Sequence, residues 1–325
     1  MGRITGKGRD TKFREVRQGG AYSYTFSPYN KPIATVAPGE TVVLYCEDAF
    51  ESRIKSERAR PSDHITMPFV NPQTGPLYVE GARKGDALAV TIRAIEPTRN
   101  YAISCLIPHF GGLTCTPQTA MLHEPLPEKL WFYPVKNGWV HLRNGIRIPY
   151  EPFLGTIGTS PEIEAISSLV PSWHGGNMDA VETCPANTVL LPVFVEGALF
   201  YTGDAHAAQG DGELCGVACE ITSRVTLTFD LIKQYPLTTP RIISSEYLMS
   251  CGSMRPLEDA ARIAWTDLIQ WLVSDYRFNK WEAYQLLTQA GRMRVGNMVD
   301  PNYTMVAKCP RKYLPKSKRK ALLRY

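Results

Sequence analysis

The sequence predicts a β-rich α+β protein, with β-sandwich or barrel-like sheets and a C-terminal helix pair covering one side. Three observations carry this reading. The 325 residues include 25 glycines and 25 prolines, which favours many short strands joined by turns over long helices. Apolar residues alternate at Leu88, Val90, Ile92 and Ala94, and again at Val225, Leu227, Phe229 and Leu231, the period of strands with one apolar face. Helical spacing is concentrated in the last third, at Ala260, Ala261, Ala264, Leu268, Trp271 and Leu272.

In chain order, residues 1–30 form a basic lead-in. Thr41 to Cys46 reads as a strand from its β-branched content. Residues 51–64 carry few apolar groups and read as an exposed loop or short helix. Asn71-Pro72-Gln73-Thr74-Gly75-Pro76 is a turn cluster, followed by a short strand from Leu77 to Ala82 and a turn at Lys84-Gly85-Asp86. Residues 100–160 are loop-rich. His141 lies between Val140 and Leu142 and reads as a half-buried strand histidine; His123 sits in a turn-like context, and His109, before two glycines, reads as structural, with lining a site as the alternative.

Pro256 precedes a first helix from Leu257 to Asp275, and Glu258 and Asp259 suit its first turn. Asn279 and Glu282 have capping-box spacing for a second helix that stops at Gly291. The chain therefore divides into a β-rich domain over 31–220, an α+β part over 221–309 and a basic tail over 310–325. The tail holds Arg311, Lys312, Lys316, Lys318, Arg319, Lys320 and Arg324 without an acid, and reads as a disordered, solubilising end.

No apolar run approaches the ~18 residues that span a bilayer, and no apolar segment follows the N-terminus, so the expected location is the cytoplasm. The net charge of +5 is partly terminal, and no helix-turn-helix, zinc-finger or aromatic-basic pattern points to a nucleic-acid partner. Eight cysteines lack a Cys-x-x-Cys pair and read as reduced, mostly core thiols; Cys215 and Cys219 give a weak signal for a nucleophile.

The stretch Gly203-Asp204-Ala205-His206-Ala207-Ala208-Gln209-Gly210-Asp211-Gly212-Glu213 lies between apolar runs and carries three carboxylates, an imidazole and a carboxamide. Such groups must be satisfied by each other, by water or by an ion, and Asp with His suits a divalent cation. A solvated Gly/Asp-rich hairpin is the alternative. A second cluster, Trp173-His174-Gly175-Gly176-Asn177-Met178-Asp179, precedes it by about thirty residues, and a strand between them would bring both to one rim of a sheet.

With both clusters in view, the chain resembles the acetamidase/formamidase family. The matching pieces are 75–82 (Gly-Pro-Leu-Tyr-Val-Glu-Gly-Ala) with Gly85-Asp86, His174 to Asp179, Leu191-Pro192-Val193 with 197–200, Gly203 to Glu213 ending at Glu220, the helix pair, and Val299-Asp300-Pro301. The likeness spans about residues 30–310. It implies hydrolysis of short linear amides to carboxylate and ammonia, a β-rich α+β fold, a bound metal and a homo-oligomer.

On that resemblance His174, Asp179, Asp204 and His206 are expected to be metal ligands or their neighbours, with Glu220 a weaker ligand and Glu80 weaker again. Asp-x-His puts two ligands on one side of an extended segment. Glu213 is expected as general base and proton donor, with Asp211 orienting it or holding a second ion. Asn177 and Gln209 are the expected amide donors to the oxyanion. Zinc is the first choice of metal, and an oxygen-rich set also suits Ca²⁺. Two rival readings stand beside this one. The first is a lactam or larger amide, in a pocket shaped by Trp131, Phe132, Tyr133 and Trp139. The second is a non-catalytic metal- or ligand-binding relative.

Overall fold

The computed structural model describes residues 13–114 and 125–325. His123 and Cys115 lie outside them, as does the start of the basic lead-in. Among the described residues the chain builds three layers. A nine-stranded sheet forms the middle, in the order Arg14–Val16, Thr41–Cys46, Ser223–Ile232, Ala87–Pro97, Thr188–Pro192, Arg241–Ile243, Tyr247–Met254, Tyr303–Pro310 and Arg292–Asn297. A five-stranded sheet covers one face, in the order Gly175–Asn177, Phe153–Thr159, Phe200–His206, Gln73–Val79 and Ala34–Val36. Helices α1 (Leu257–Tyr276) and α2 (Lys280–Ala290) cover the other. Among the described residues no sheet closes into a barrel. The predicted α+β class with a helix pair is correct, and its sheets pack face to face as a sandwich.

One face of the middle sheet is buried against the five-stranded sheet; the helices cover the other only in part, and Thr91, Arg93, Thr228 and Asp230 line an open polar stretch of it. Leu88, Val90 and Ile92 join Val225, Leu227 and Phe229 in a core shared with Leu77, Leu154, Ile157 and Phe200 of the five-stranded sheet. Ala87 and Ala89 point the other way, toward Ala264, Leu268, Trp271 and Leu272 of α1. Period two breaks where the register shifts between Thr226–Ala94 and Leu227–Ile92. This bulge puts Ile95, rather than Ala94, into the core. Gly252 is the point of closest approach between sheet and helix: a Cβ there would stand 2.1 Å from the Ala260 carbonyl oxygen.

Both helices begin as their sequences dictate. Asn279 accepts from the Trp281 and Glu282 amides while Glu282 accepts from the Asn279 amide, which completes the capping box. Beneath α1 lies a polar network that apolar spacing does not reveal: Arg241 donates two hydrogen bonds, of 2.8 and 2.9 Å, to the buried carboxylate of Asp267.

The basic tail differs from its expected form. It packs on the body through Leu322, which is buried, and through Arg311 to the Ser244 carbonyl at 2.7 Å and Arg324 to Asp230 at 2.8 Å. Strands from both 31–220 and 221–309 share the middle sheet and its core. A four-stranded sheet, Arg147–Pro149, Trp139–His141, Lys129–Lys136 and Tyr101–Leu106, carries Trp131, Phe132, Tyr133 and Trp139. Residues 51–64 hold the short 3-10 turn Pro61–Asp63, and the turn cluster at 71–76 passes into a strand at Gln73.

Candidate active site

The central motif begins as a strand, not as a loose turn. Gly203 to His206 is the end of Phe200–His206, paired with Phe153–Thr159. Alternation then puts Asp204 and His206 on the same side, with the His206 Nε2 3.4 Å from Asp204 Oδ1. Asp204 takes a left-handed φ of 56°, a strain found where a side chain is being aimed. Glu220 approaches from the chain beyond the motif, its Oε1 3.2 Å from the same Nε2. Asp179, with φ 47°, and Glu213, with φ 48°, complete the group. The ligand atoms of Asp179, His206 and Glu213 lie within 4.8 Å of one another, as do those of Asp204, His206 and Glu220.

Gly155 lets the carboxylates meet. A Cβ on it would stand 2.7 Å from both Asp179 Oδ1 and Asp204 Oδ2. Two asparagines and a threonine hold the acids from behind. Asn71 Nδ2 donates to Asp204 Oδ2 at 3.0 Å and to Asn177 Oδ1 at 3.1 Å. Thr156 also donates to Asp204 Oδ2, at 3.2 Å. Asn177 Nδ2 donates to Asp300 Oδ2 at 2.8 Å. The Ala218 amide donates to Glu213 Oε1 at 2.9 Å.

Five carboxyl groups thus share one imidazole, each at most 6 % exposed. Among the described residues no lysine or arginine side chain pairs with any of them. Both oxygens of Asp179, Asp204 Oδ1, Glu220 Oε2 and His206 Nε2 have no hydrogen-bond partner. Burial pushes the Asp179, Glu220 and Asp300 carboxyls well above the ordinary range, and neighbouring acids add to it. Burial likewise raises Glu213 to about 7, against the pull of His206. Burial would lower His206, but Glu220 and Asp204 outweigh it and raise the imidazole to about 10. The same pairing holds Asp204 below its usual value despite burial. A divalent cation would satisfy this surplus of buried acids, and the unpartnered oxygen and nitrogen atoms are the donor types that zinc takes.

The group opens on a cavity of ≈ 90 Å³. Asn71, Asn177, Asp204, Glu213, Glu220 and Asp300 form its polar lining, and Ile65, Met67, Ile107, Phe110, Leu169 and Val217 are among its apolar walls.

Of the residues singled out in the sequence, Asn177, Asp179, Asp204, His206, Glu213 and Glu220 come together. His174 is in neither three-residue group: it lies beyond the end of Gly175–Asn177, its buried ring edge-on to Phe26 at 4.8 Å, and burial lowers it to about 3. Asp211 is exposed and pairs with Arg294 at 3.0 Å. Gln209 spends both amide hydrogens on the Asp179 and Gly296 carbonyls, which leaves neither for a substrate oxygen. Glu80 is exposed. Burial raises the Cys215 thiol and takes Cys219 to about 12, the opposite of what activates a nucleophile. Asn71 and Asp300 were not among the expected site residues. Asn71 carried only a turn signal, and Asp300 stood in a matching tripeptide with no role attached.

A sandwich of sheets with a buried acid–imidazole group under a small cavity defines a class: an α+β protein with a buried, titratable site beside a small pocket. Comparison with known proteins narrows it. The chain belongs to the acetamidase/formamidase family, whose model matches residues 17–170 and 105–314. It is similar in structure to an acetamidase from Yersinia enterocolitica, with a TM-score of 0.92 and 46% identity over 96% of each chain. It is also similar to an acetamidase from Bacillus halodurans, with a TM-score of 0.84 and 33% identity over 92% of this chain and 98% of that one. Against the acetamidase of Mycolicibacterium smegmatis it is 26% identical over 257 residues, which span 62% of this chain and 63% of that relative.

Proposed function

We propose that this protein hydrolyses the C–N bond of short linear amides to a carboxylate and ammonia. The observation that carries this is the surplus of five buried acids over one imidazole, opening on a ≈ 90 Å³ cavity inside an acetamidase/formamidase fold. Asp179, Asp204, His206 Nε2 and Glu220 would hold a divalent cation, with zinc fitting a mixed nitrogen and oxygen set. Bound there, the cation lowers the pKa of water and polarises a carbonyl.

The chain's own residues supply the rest. Glu213, fixed by the Ala218 amide, takes a proton from the attacking water and returns it to the departing nitrogen. The water oxygen bonds to the carbonyl carbon, the C–N bond breaks, and nitrogen leaves as ammonia. Asn177 donates one amide hydrogen to Asp300 and has a second for the oxyanion. Asn71 and Thr156 hold Asp204, and the apolar walls exclude bulk water from the acyl end. A cavity of this size favours a small linear amide over a lactam. Trp131, Phe132, Tyr133 and Trp139, which would have widened it, do not line it.

The protein is further proposed to be a cytoplasmic homo-oligomer. The seven described cysteines are free thiols, as in a reducing compartment. No helix among the described residues is long and apolar enough to cross a membrane. Trp281 and Tyr284 stand exposed beside a groove between α1 and α2, apolar surface of the kind that meets another subunit.

The test is ammonia release from formamide, acetamide and longer amides, with metal analysis of the same preparation. Turnover of the short amides that is lost on chelation and restored by a divalent metal is expected. No ammonia from any amide in metal-replete protein would overturn the proposal.

A further inference from the structure

Gln209 stands at the junction of three separate segments. Its Nε2 lies 3.0 Å from the Asp179 carbonyl oxygen and 3.0 Å from that of Gly296, and its Oε1 lies 2.9 Å from His206 Nδ1. A primary amide carries both donors on nitrogen and only acceptors on oxygen. With two carbonyl acceptors on one side, the nitrogen must face them, because the flipped amide would set oxygen against oxygen twice. The oxygen therefore faces His206.

We infer that Gln209 is a positioning residue that fixes a proton of His206 on Nδ1 and so aims Nε2 at the space shared with Asp204 and Glu220. An acceptor opposite Nδ1 requires a hydrogen there in either charge state of the ring, so Nε2 is the nitrogen left to give its lone pair to a cation. That nitrogen is 3.4 Å from Asp204 Oδ1 and 3.2 Å from Glu220 Oε1, with no hydrogen-bond partner of its own. Phe153, edge-on to His206 at 5.0 Å, holds the plane of the ring. Gln209 also stands between His206 and a surface depression of ≈ 710 Å³ that it lines with Asp211 and Arg294. The substrate cavity lies elsewhere and shares none of those three residues.

The placement of the proton stands on hydrogen bonds alone. Its consequence for cation affinity rests on the function proposed above. Gln209→Met keeps the length of the side chain and removes both donor and acceptor; Gln209→Leu is a second variant on the same logic. The full chain is labelled with ¹⁵N-histidine, and the His206 signal is assigned by its absence from His206→Ala.

In the metal-free wild type, Nδ1–H of His206 gives a slowly exchanging signal, and in either Gln209 variant that protection is lost. Zinc affinity, measured by competition with a chelator, falls ~10–100-fold in the variants. A cooperative unfolding transition in the variant shows that it folds. Equal protection in wild type and both variants overturns the assignment of the proton. Equal zinc affinity overturns the positioning role. A wild type that shows the protected Nδ1–H and binds no zinc upholds Gln209 as the clamp and refutes the cation reading instead.

Discussion

Gly155→Ala is the smallest change that tests how closely the acids are packed. Gly155 has no positive φ, so alanine suits the backbone and the perturbation is steric. The added methyl would stand 2.7 Å from Asp179 Oδ1, 2.7 Å from Asp204 Oδ2 and 2.9 Å from the Asp204 carbonyl oxygen. Ordinary contact begins near 3.4 Å, so the neighbours must retreat by about 0.7 Å in a close-packed interior. They cannot retreat freely, because Asn71 and Thr156 grip Asp204 from the other side. Overpacking of this kind costs ~1–3 kcal/mol, partly offset by the ~0.4–1 kcal/mol that Gly→Ala gains from a stiffer unfolded chain. The net loss of stability should be about 1–2 kcal/mol, small enough for the protein to fold.

Activity should suffer more. A misplacement approaching 1 Å at a reacting centre costs ~10²-fold. The assays are kcat/KM for ammonia release from acetamide, and urea unfolding of the same preparations. A Gly155→Ala enzyme that matches wild type in kcat/KM would refute the claim that these two carboxylates must meet at this spacing.

Other expectations follow from particular contacts. His206→Ala should abolish ammonia release while the urea transition stays cooperative; retained turnover would remove His206 from the chemistry. Asp267→Ala strands Arg241, which is buried, and should cost ~3–5 kcal/mol in urea unfolding; a loss under about 1 kcal/mol would show the pair to be dispensable. Asp86 is held below the usual carboxylate range because Lys233 and the Gln234 and Arg83 amides outweigh the upward push of burial. A depressed folded value adds stability that is fully present above the unfolded value of ~3.9 and is lost as pH falls through the folded one, so Asp86→Asn should flatten the acid limb of a stability–pH profile. Burial holds the Asp179 and Glu220 carboxyls high, so metal binding near neutral pH should release protons and tighten as pH rises. Calorimetry in buffers of differing ionisation heat detects this, and buffer-independent heats would contradict it.

What the sequence revealed and what it hid have physical reasons. Helices α1 and α2 were legible because apolar spacing and a capping box are local signals. The strand pairs were legible by period two until the bulge at Arg93, which depends on how two distant strands shift against each other. Asp179, Asp204, His206, Glu213 and Glu220 were visible as a dense run of titratable groups between apolar strands. His174 and Asp211 carried the same signal, yet His174 lies on the Phe26 side of its sheet and Asp211 falls on the surface. Composition marks a cluster without saying which members reach the shared group. Asn71 and Asp300 meet Asp204 and Asn177 across 133 and 123 residues of chain, contacts that no local pattern encodes. The basic tail read as free because its anchors, Asp230, Asp275 and Ser244, lie far away in sequence.

Anomalous diffraction at the zinc edge, from crystals of metal-replete protein with amidase activity, asks most directly whether this acid–imidazole group grips a cation. A single peak at ~2.0–2.2 Å from His206 Nε2 and from carboxylate oxygens of Asp179, Asp204 or Glu220 is predicted. Active crystals with no anomalous peak among those residues would contradict it.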